Sequence, residues 1–324
     1  MKIAFLTEMG FEGKIPADHL NMRTEFAWMH ALDADHHNIR GYKTISGYDH
    51  VFVIFPKGKT FLSAEGSVLI QNATNPVSDL LDADIILDLK KLNRQVHYVQ
   101  EGPHWWFNDY EIADQINFFN MLQHVDSIYA HNESDVAYYQ GLCKNTIVNV
   151  IPTLMIDTMI KDIKWQPQEK VIIGGNFARW YGGMESYVVA SEFNVPIWGQ
   201  TSHATRNEEW HLIEHLPRVM WNEWIQQLST FKYAVHLMPT VAAGTFSLNC
   251  AYLGIPCIGN ELVDTQNLCH PDLAVDINDL VKARQLAERL RDDDDFYKQC
   301  SQTALDNYKQ HYNLETWKSI INLK

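Results

Sequence analysis

The chain has 324 residues, of which 46% are apolar, 12% aromatic and 20% charged, enough for two cores of ordinary domain size. Forty acidic against 26 basic residues leave a formal net charge of −14, which excludes a general nucleic-acid coat while leaving room for a local basic groove. No run of about 18 apolar residues occurs, so no membrane span is expected, and five cysteines without a CxxC pair fit reduced intracellular thiols better than a disulfide framework.

Lys2 to Thr7 is an apolar β-type run that meets Glu8 at once, too short for a signal peptide and suited to open a parallel sheet. Tyr48 to Phe55, Ala83 to Leu87, Gln95 to Val99, Ser127 to Ala130 and Thr146 to Val150 read as further strands. Helical spacing falls between them, at Thr24 to Leu32, Ser78 to Leu81 and Asp109 to Leu122. Ile151 to Gln168, with Pro152 and Pro167, reads as a connection. The pattern then restarts with a strand at Val171 to Ile173, a helix at Met184 to Glu192, and a strand at Val195 to Trp198 stopped by Gly199. Ala234 to Met238 and Pro256 to Ile258 follow as strands, Leu280 to Arg291 and Trp317 to Leu323 as helices, and Asp292 to Asp295 as a solvated helix junction. The predicted fold class is α/β: two doubly wound Rossmann-like domains facing a cleft, residues 1–160 and 161–324, with the last helix crossing back.

In such sheets ligands bind beyond the carboxyl ends of the strands. The loop after Ile173 reads GGNFARWYGGMES; its glycines let backbone approach a ligand, and Arg179 supplies a charge suited to a diphosphate. It lacks the terminal GK[ST] of a Walker A loop and is not GxGxxG, so an ordinary glycine-rich turn is an equal reading. A second loop, Met238 to Asn249, runs from a strand end through small residues into a helix start. There the amides of Gly244, Thr245 and Phe246 suit a diphosphate and the Asn249 amide suits a ribose hydroxyl.

The TFSLN helix start followed by AYLGIPCI resembles the nucleotide-binding half of the GT-B glycosyltransferases, in most of which a glutamate at the position of Asn249 holds the ribose. The order GGNFARWYGGMES, PIWGQ, TFSLN is similar to that of the DNA β-glucosyltransferases of T-even phages, which modify hydroxymethylcytosine. The resemblance implies a UDP-sugar donor carrying glucose or a pentose such as arabinose. It also implies 5-hydroxymethylcytosine in double-stranded DNA as acceptor and the host cytoplasm as location. Gly175, Asn176 and Arg179 would then meet the diphosphate, helped by Gly244, Thr245, Phe246 and Ser247, while Trp198, Gly199, His236 and Met238 border the base. Core packing stands as the alternative for Trp198, His236 and Met238.

The first half would supply the acceptor site. Glu101 and His104 fall at the carboxyl end of the predicted Gln95 to Val99 strand. An inverting transfer needs a base for the acceptor hydroxyl; Glu101 is the first candidate, His104 the second (or a group on the leaving diphosphate), and Asp18 with His19 the third. A helix-capping or salt-bridging role is the competing reading of Glu101. Trp105, Trp106 and Phe107 cannot all enter one core, so Trp105 and Trp106 are candidates to stack on a sugar or an extruded base. Lys57 and Lys59, with Lys14 and Arg23, could rim such a site. The first 150 residues nevertheless hold 11 basic and 19 acidic side chains, which counts against a DNA acceptor. Transfer to a glycan, lipid or protein, or non-catalytic sugar-nucleotide binding, are the rivals. Asp33-Ala34-Asp35-His36-His37 is expected to be a solvated turn rather than a metal site, and with no HExxH no cofactor or obligatory metal is expected.

Overall fold

The computed structural model describes residues 1–8, 13–55, 60–63, 66–69, 85–109, 111–175, 177, 181–200, 207–321 and 323. The chain forms two compact units: Met1–Pro16 with Trp28–Ile151, and Ala17–Ala27 with Pro152–Lys324.

The first unit contains β1 (Ile3–Thr7), β2 (Gly13–Lys14), β3 (Asp35–Asn38), β4 (His50–Val53), the hairpin β5 (Thr60–Ser63) and β6 (Gly66–Leu69), β7 (Gln95–Val99), β8 (Ser127–Ala130) and β9 (Ile147–Val150). Seven of these make a sheet of order β2-β3-β1-β4-β7-β8-β9, parallel throughout except for the antiparallel β2–β3 pair. Its helices are α1 (Thr24–Ala31), whose first residues belong to the second unit, α2 (Ile85–Leu92), α3 (Ile112–Leu122) and α4 (Glu133–Leu142). The central strands are Val-, Ile- and Phe-rich because both faces are covered. Leu6, Val53, Val96, Tyr98 and Ile128 pack with Leu89, Phe118 and Leu122. On the opposite face Phe5 stacks on Phe52 at 4.7 Å, and Phe52 meets the His97 ring at 4.8 Å.

The second unit holds β10 (Gln168–Ile173), β11 (Ile197–Gln200), β12 (Glu214–Leu216), β13 (Phe231–His236), β14 (Cys257–Asn260) and β15 (Ala274–Val275), all parallel in the order β12-β11-β10-β13-β14-β15. Its helices are α5 (Gly183–Ala190), α6 (Trp221–Leu228), α7 (Thr245–Leu253), α8 (Asp264–Cys269), α9 (Leu280–Asp292), α10 (Asp294–His311) and α11 (Leu314–Ile321). Val171, Ile173, Val235, Ile258 and Val275 form the core with Val189, Ala283, Ala287, Leu290 and Phe296. Asp279 accepts the Lys282 amide at 3.0 Å to cap α9, and Asp293 accepts that of Phe296 at 2.9 Å to cap α10, so the acidic run is a helix junction.

Three predicted elements change. Ala83 to Leu87 is not a strand: Ile85 to Leu87 open α2, whose Ile85, Ile86 and Leu89 are buried while Asp88, Lys90 and Lys91 stay outside. A short apolar run does not separate the two periods. Gly199 does not stop its strand; β11 continues through it to Gln200. Asp35 to His37 lie in β3 rather than a turn, with Lys14 3.3 Å from Asp33 and 3.2 Å from Asp35. Residues 83 and 84 and the helix predicted at 78–81 lie outside the described residues. All five cysteines are buried and unpaired by disulfides. Among the described residues no helix is long and apolar enough to cross a membrane.

Two buried imidazoles bear on stability. His97 Nε2 lies 3.0 Å from His50 Nδ1, and its Nδ1 lies 2.7 Å from Ser127 Oγ. Burial, then the neighbouring His50, pushes His97 down to about 4, against the opposing pull of Asp126. His270, buried in the second unit with Nε2 3.1 Å from the Ser247 carbonyl, is pushed down to about 4 by burial. Both groups bind a proton more weakly in the folded chain than at the ordinary value of 6.5, so the unfolded chain takes up the extra protons. Stability from them is full above about pH 6.5 and is lost as pH falls toward 4, by on the order of 3 kcal/mol for each imidazole. Urea titrations of the full chain near neutrality and near pH 4.5 should show this fall, and His97→Gln, which cannot titrate there, should show a shallower one. Equal falls in both proteins would exclude His97 as a source.

Candidate functional site

Each sheet reverses its strand order once, and the carboxyl ends at that reversal are where an open α/β sheet leaves a crevice. In the second unit the reversal lies between β10 and β13, which places Gly174 and Gly175 beside His236. A Cβ on Gly174 would come within 2.2 Å of the His236 ring, and one on Gly175 within 2.7 Å of Tyr181. The His236 ring also meets Phe246 at 4.8 Å. Burial pushes His236 down to about 4, and its buried Nε2 has no hydrogen-bond partner among the described residues.

Two helices start at this edge, each from a glycine in the left-handed region. Gly182 (φ +62°) precedes α5, and a Cβ there would sit 1.9 Å from the Leu237 carbonyl oxygen. The Leu237 amide in turn donates to Ser186 Oγ of α5 at 3.0 Å. Gly244 (φ +76°) precedes α7, and a Cβ there would sit 2.6 Å from the Thr265 Cβ. The first-turn amides of Thr245, Phe246 and Ser247 have no acceptor within the helix, and no acidic residue occupies that turn. The loop before them is braced from β14, where Asn260 donates its side-chain amide to the Met238 carbonyl at 2.9 Å. Buried Glu209 lies beneath the glycine-rich loop and accepts the Phe177 amide at 3.4 Å. These groups form a lining of amides and glycines suited to an anion.

The sequence-predicted donor residues divide. Gly175, Gly199, His236, Met238, Gly244, Thr245, Phe246 and Ser247 all lie at the carboxyl edge or the start of α7. Trp198 stands apart: its ring faces Phe231, the first residue of β13, at 6.2 Å, and the Lys170 ammonium at 5.3 Å. Asn249 is buried, with its Oδ1 accepting from Trp221 Nε1 at 3.3 Å, and Ser247 Oγ bonds Gln266 Oε1 at 2.7 Å. Asn176, Arg179, Lys57 and Lys59 lie outside the described residues.

In the first unit the loop after β7 carries Glu101 and His104. Buried Gln100 ties it down, donating to the Gly102 carbonyl at 2.7 Å and accepting the His131 amide at 3.4 Å. His104 Nδ1 lies 2.8 Å from Asp135 Oδ1, and the Asn132 side chain donates to Asp135 Oδ2 at 3.0 Å. Asp135 is fully buried, whereas the His104 side chain keeps 30% of its surface and packs on Tyr138 at 4.2 Å. A carboxylate on Nδ1 favours the tautomer with its proton there, leaving Nε2 as an acceptor. Glu101 is half-buried; after burial itself, its charge adds to what raises the Tyr98 phenol. Phe107 stacks on Phe118 at 3.8 Å inside the core, while Trp105 and Trp106 remain half-buried with rings 6.1 Å apart. Asp18 and His19 belong to the other unit, where His19 stacks on Phe26 at 4.6 Å. Lys14 is engaged with Asp33 and Asp35. Among the described residues no three acidic, His or Cys side chains converge to hold a metal ion.

Sequence reasoning passed over Asp135 and Asn132 because an N-x-x-D pattern after a strand reads as a helix cap. Asn260, Thr265 and Gln266 gave no signal either: they act through backbone carbonyls that are distant in sequence.

No protein-family model matches the sequence, and no curated protein matches it either. Solved structures do. HepE of Anabaena in complex with UDP-glucose aligns with a TM-score of 0.67 at 11% identity, over 99% of this chain and 98% of that one. An alpha-glucosyltransferase in complex with UDP and a 13-mer DNA containing a HMU base aligns with a TM-score of 0.64 at 10% identity, over 98% and 97%. Sucrose-phosphate synthase of Thermosynechococcus elongatus aligns with a TM-score of 0.61 at 11% identity, over 99% and 97%. The chain has the GT-B fold.

A crowded and an uncrowded left-handed glycine predict a measurable contrast. Gly182→Ala should cost at least about 2 kcal/mol, combining left-handed strain with the collision at Leu237. Gly47→Ala, at φ +78° with nothing within 4 Å, should cost only about 1 kcal/mol. Equal values in urea titrations would remove the packing argument.

Proposed function

We propose that the chain is a glycosyltransferase that moves a sugar, glucose or a pentose such as arabinose, from a UDP-linked donor to 5-hydroxymethylcytosine in double-stranded DNA. The observation that carries the donor half is the convergence of two glycine-started helices on the β10/β13 reversal, beside His236. Thr245, Phe246 and Ser247 would offer amides to the diphosphate, and Arg179 would add the charge that a metal supplies elsewhere. The acceptor half is supported by likeness to a structure described as holding both UDP and a DNA with a modified base. Half-exposed Trp105 and Trp106 are suited to stack on an extruded base.

In the transfer the acceptor oxygen bonds to the sugar C1 as the C1–O bond to the diphosphate breaks, the electron pair leaving with UDP. The hydroxyl proton passes to the loop after β7, where Glu101 is the first base and His104, held by Asp135, the second. A protein base of this kind gives an inverted product. Retention is a second reading, favoured by the likeness to an enzyme named alpha-glucosyltransferase; the anomeric coupling of the product by NMR separates the two.

Mass spectrometry after mixing the protein with a panel of nucleotide sugars should show a gain of one sugar on DNA containing hydroxymethylcytosine and none on unmodified DNA. No gain with any donor, while UDP still binds, would move the acceptor to a glycan, lipid or protein. Glu101→Gln should lower transfer by about 10²–10⁴-fold with UDP affinity unchanged; full activity would remove Glu101 as the base.

A further inference from the structure

The diphosphate cradle of the proposed donor site includes the peptide Ala243–Gly244, whose orientation decides which way its amide points. A buried chain of two hydroxyls holds it. Tyr312, which caps the carboxyl end of α10, donates its phenol to Thr265 Oγ1 at 2.9 Å, and Thr265 donates to the Ala243 carbonyl at 3.3 Å. Thr265 and Tyr312 are each 3% exposed. Burial raises the Tyr312 phenol well above its ordinary value, so it remains a donor across the working range of pH. The same Thr265 side chain forms the floor under Gly244.

A peptide is planar, with its C=O and N–H on opposite sides. Fixing the Ala243 oxygen toward Thr265 therefore turns the Gly244 N–H to the other face of the loop and sets the direction in which α7 begins. A flipped peptide would instead present a carbonyl to the bound anion. Next to Thr265, Gln266 takes the Ser247 hydroxyl and His270 the Ser247 carbonyl, so α8 and its end grip both sides of the Gly244 turn.

We infer that Thr265 and Tyr312 are positioning residues for diphosphate binding, acting on the Ala243–Gly244 peptide without touching the ligand. The inference rests on the donor reading of the second unit. Its test is calorimetric titration of UDP into the full chain. Thr265→Val, which keeps the shape and removes both hydroxyl bonds, should weaken UDP by about tenfold or more, and Tyr312→Phe by about threefold to tenfold. Thr265→Ser should stay within about twofold of the unaltered chain.

Ser301→Ala is the control for general loosening: Ser301 Oγ donates to the Gly254 carbonyl at 2.6 Å, at the opposite end of α7. It should leave UDP affinity unchanged. UDP binding by Thr265→Val equal to that of the unaltered chain overturns the inference, as does equal weakening by Ser301→Ala. If Thr265→Val fails to fold, the Tyr312→Phe titration decides by the same criterion. Absence of UDP binding by the unaltered chain overturns the donor reading itself, and the inference with it.

Discussion

The second unit is organised around a contact that admits no side chain: the α-carbon of Gly182 against the carbonyl oxygen of Leu237. It brings the start of α5 onto the end of β13, and Ser186 completes the grip by taking the Leu237 amide. With that end fixed, the His236 ring lies over Gly174 and supports Phe246 in the first turn of α7. Two helix starts and two strand ends are thereby set within one small region, and the first turn of α7 carries no acidic side chain. An anion there would be held by backbone amides whose directions are set by packing, at no reorganisation cost when it arrives.

The first unit solves a different problem with different materials. Its loop after β7 carries Glu101 and His104, and the His104 ring is oriented by a fully buried carboxylate, Asp135, which also accepts from Asn132. An uncompensated charge at that depth would be costly, so the three groups must form together or not at all. One unit thus offers fixed backbone dipoles, and the other an imidazole held by a buried carboxylate.

How far the sequence revealed this follows from what each residue interacts with. β1, β7, β8, β10 and β13 were legible because strands buried on both faces read as apolar runs, and the glycine loops because they follow those runs directly. The α2 helix was misread since three apolar residues in a row serve either period. Asn249 looked like a ligand group from its place in α7, yet its side chain is buried and its Oδ1 accepts from Trp221. Trp198 lay at a predicted strand end only because the strand was cut short at Gly199. What could not be read were partners such as Asp135 for His104 or Asn260 for Met238, which depend on strand order rather than on spacing.

The allotment of Ala17–Ala27 to the second unit has a consequence for how the molecule is made. Its backbone is claimed by the segment after Pro152: Thr24 donates to Leu154, Ile156 donates to Met22, and Arg23 bridges Met155. Synthesis delivers this short stretch before its partners, which follow only after the rest of the first unit has been made. During that interval the backbone partners of Met22 and Thr24, at Ile156 and Leu154, are missing. A chain cut at Ile151 would lack these partners permanently, so an isolated amino-terminal half is expected to be less stable unless this stretch is replaced by a polar linker.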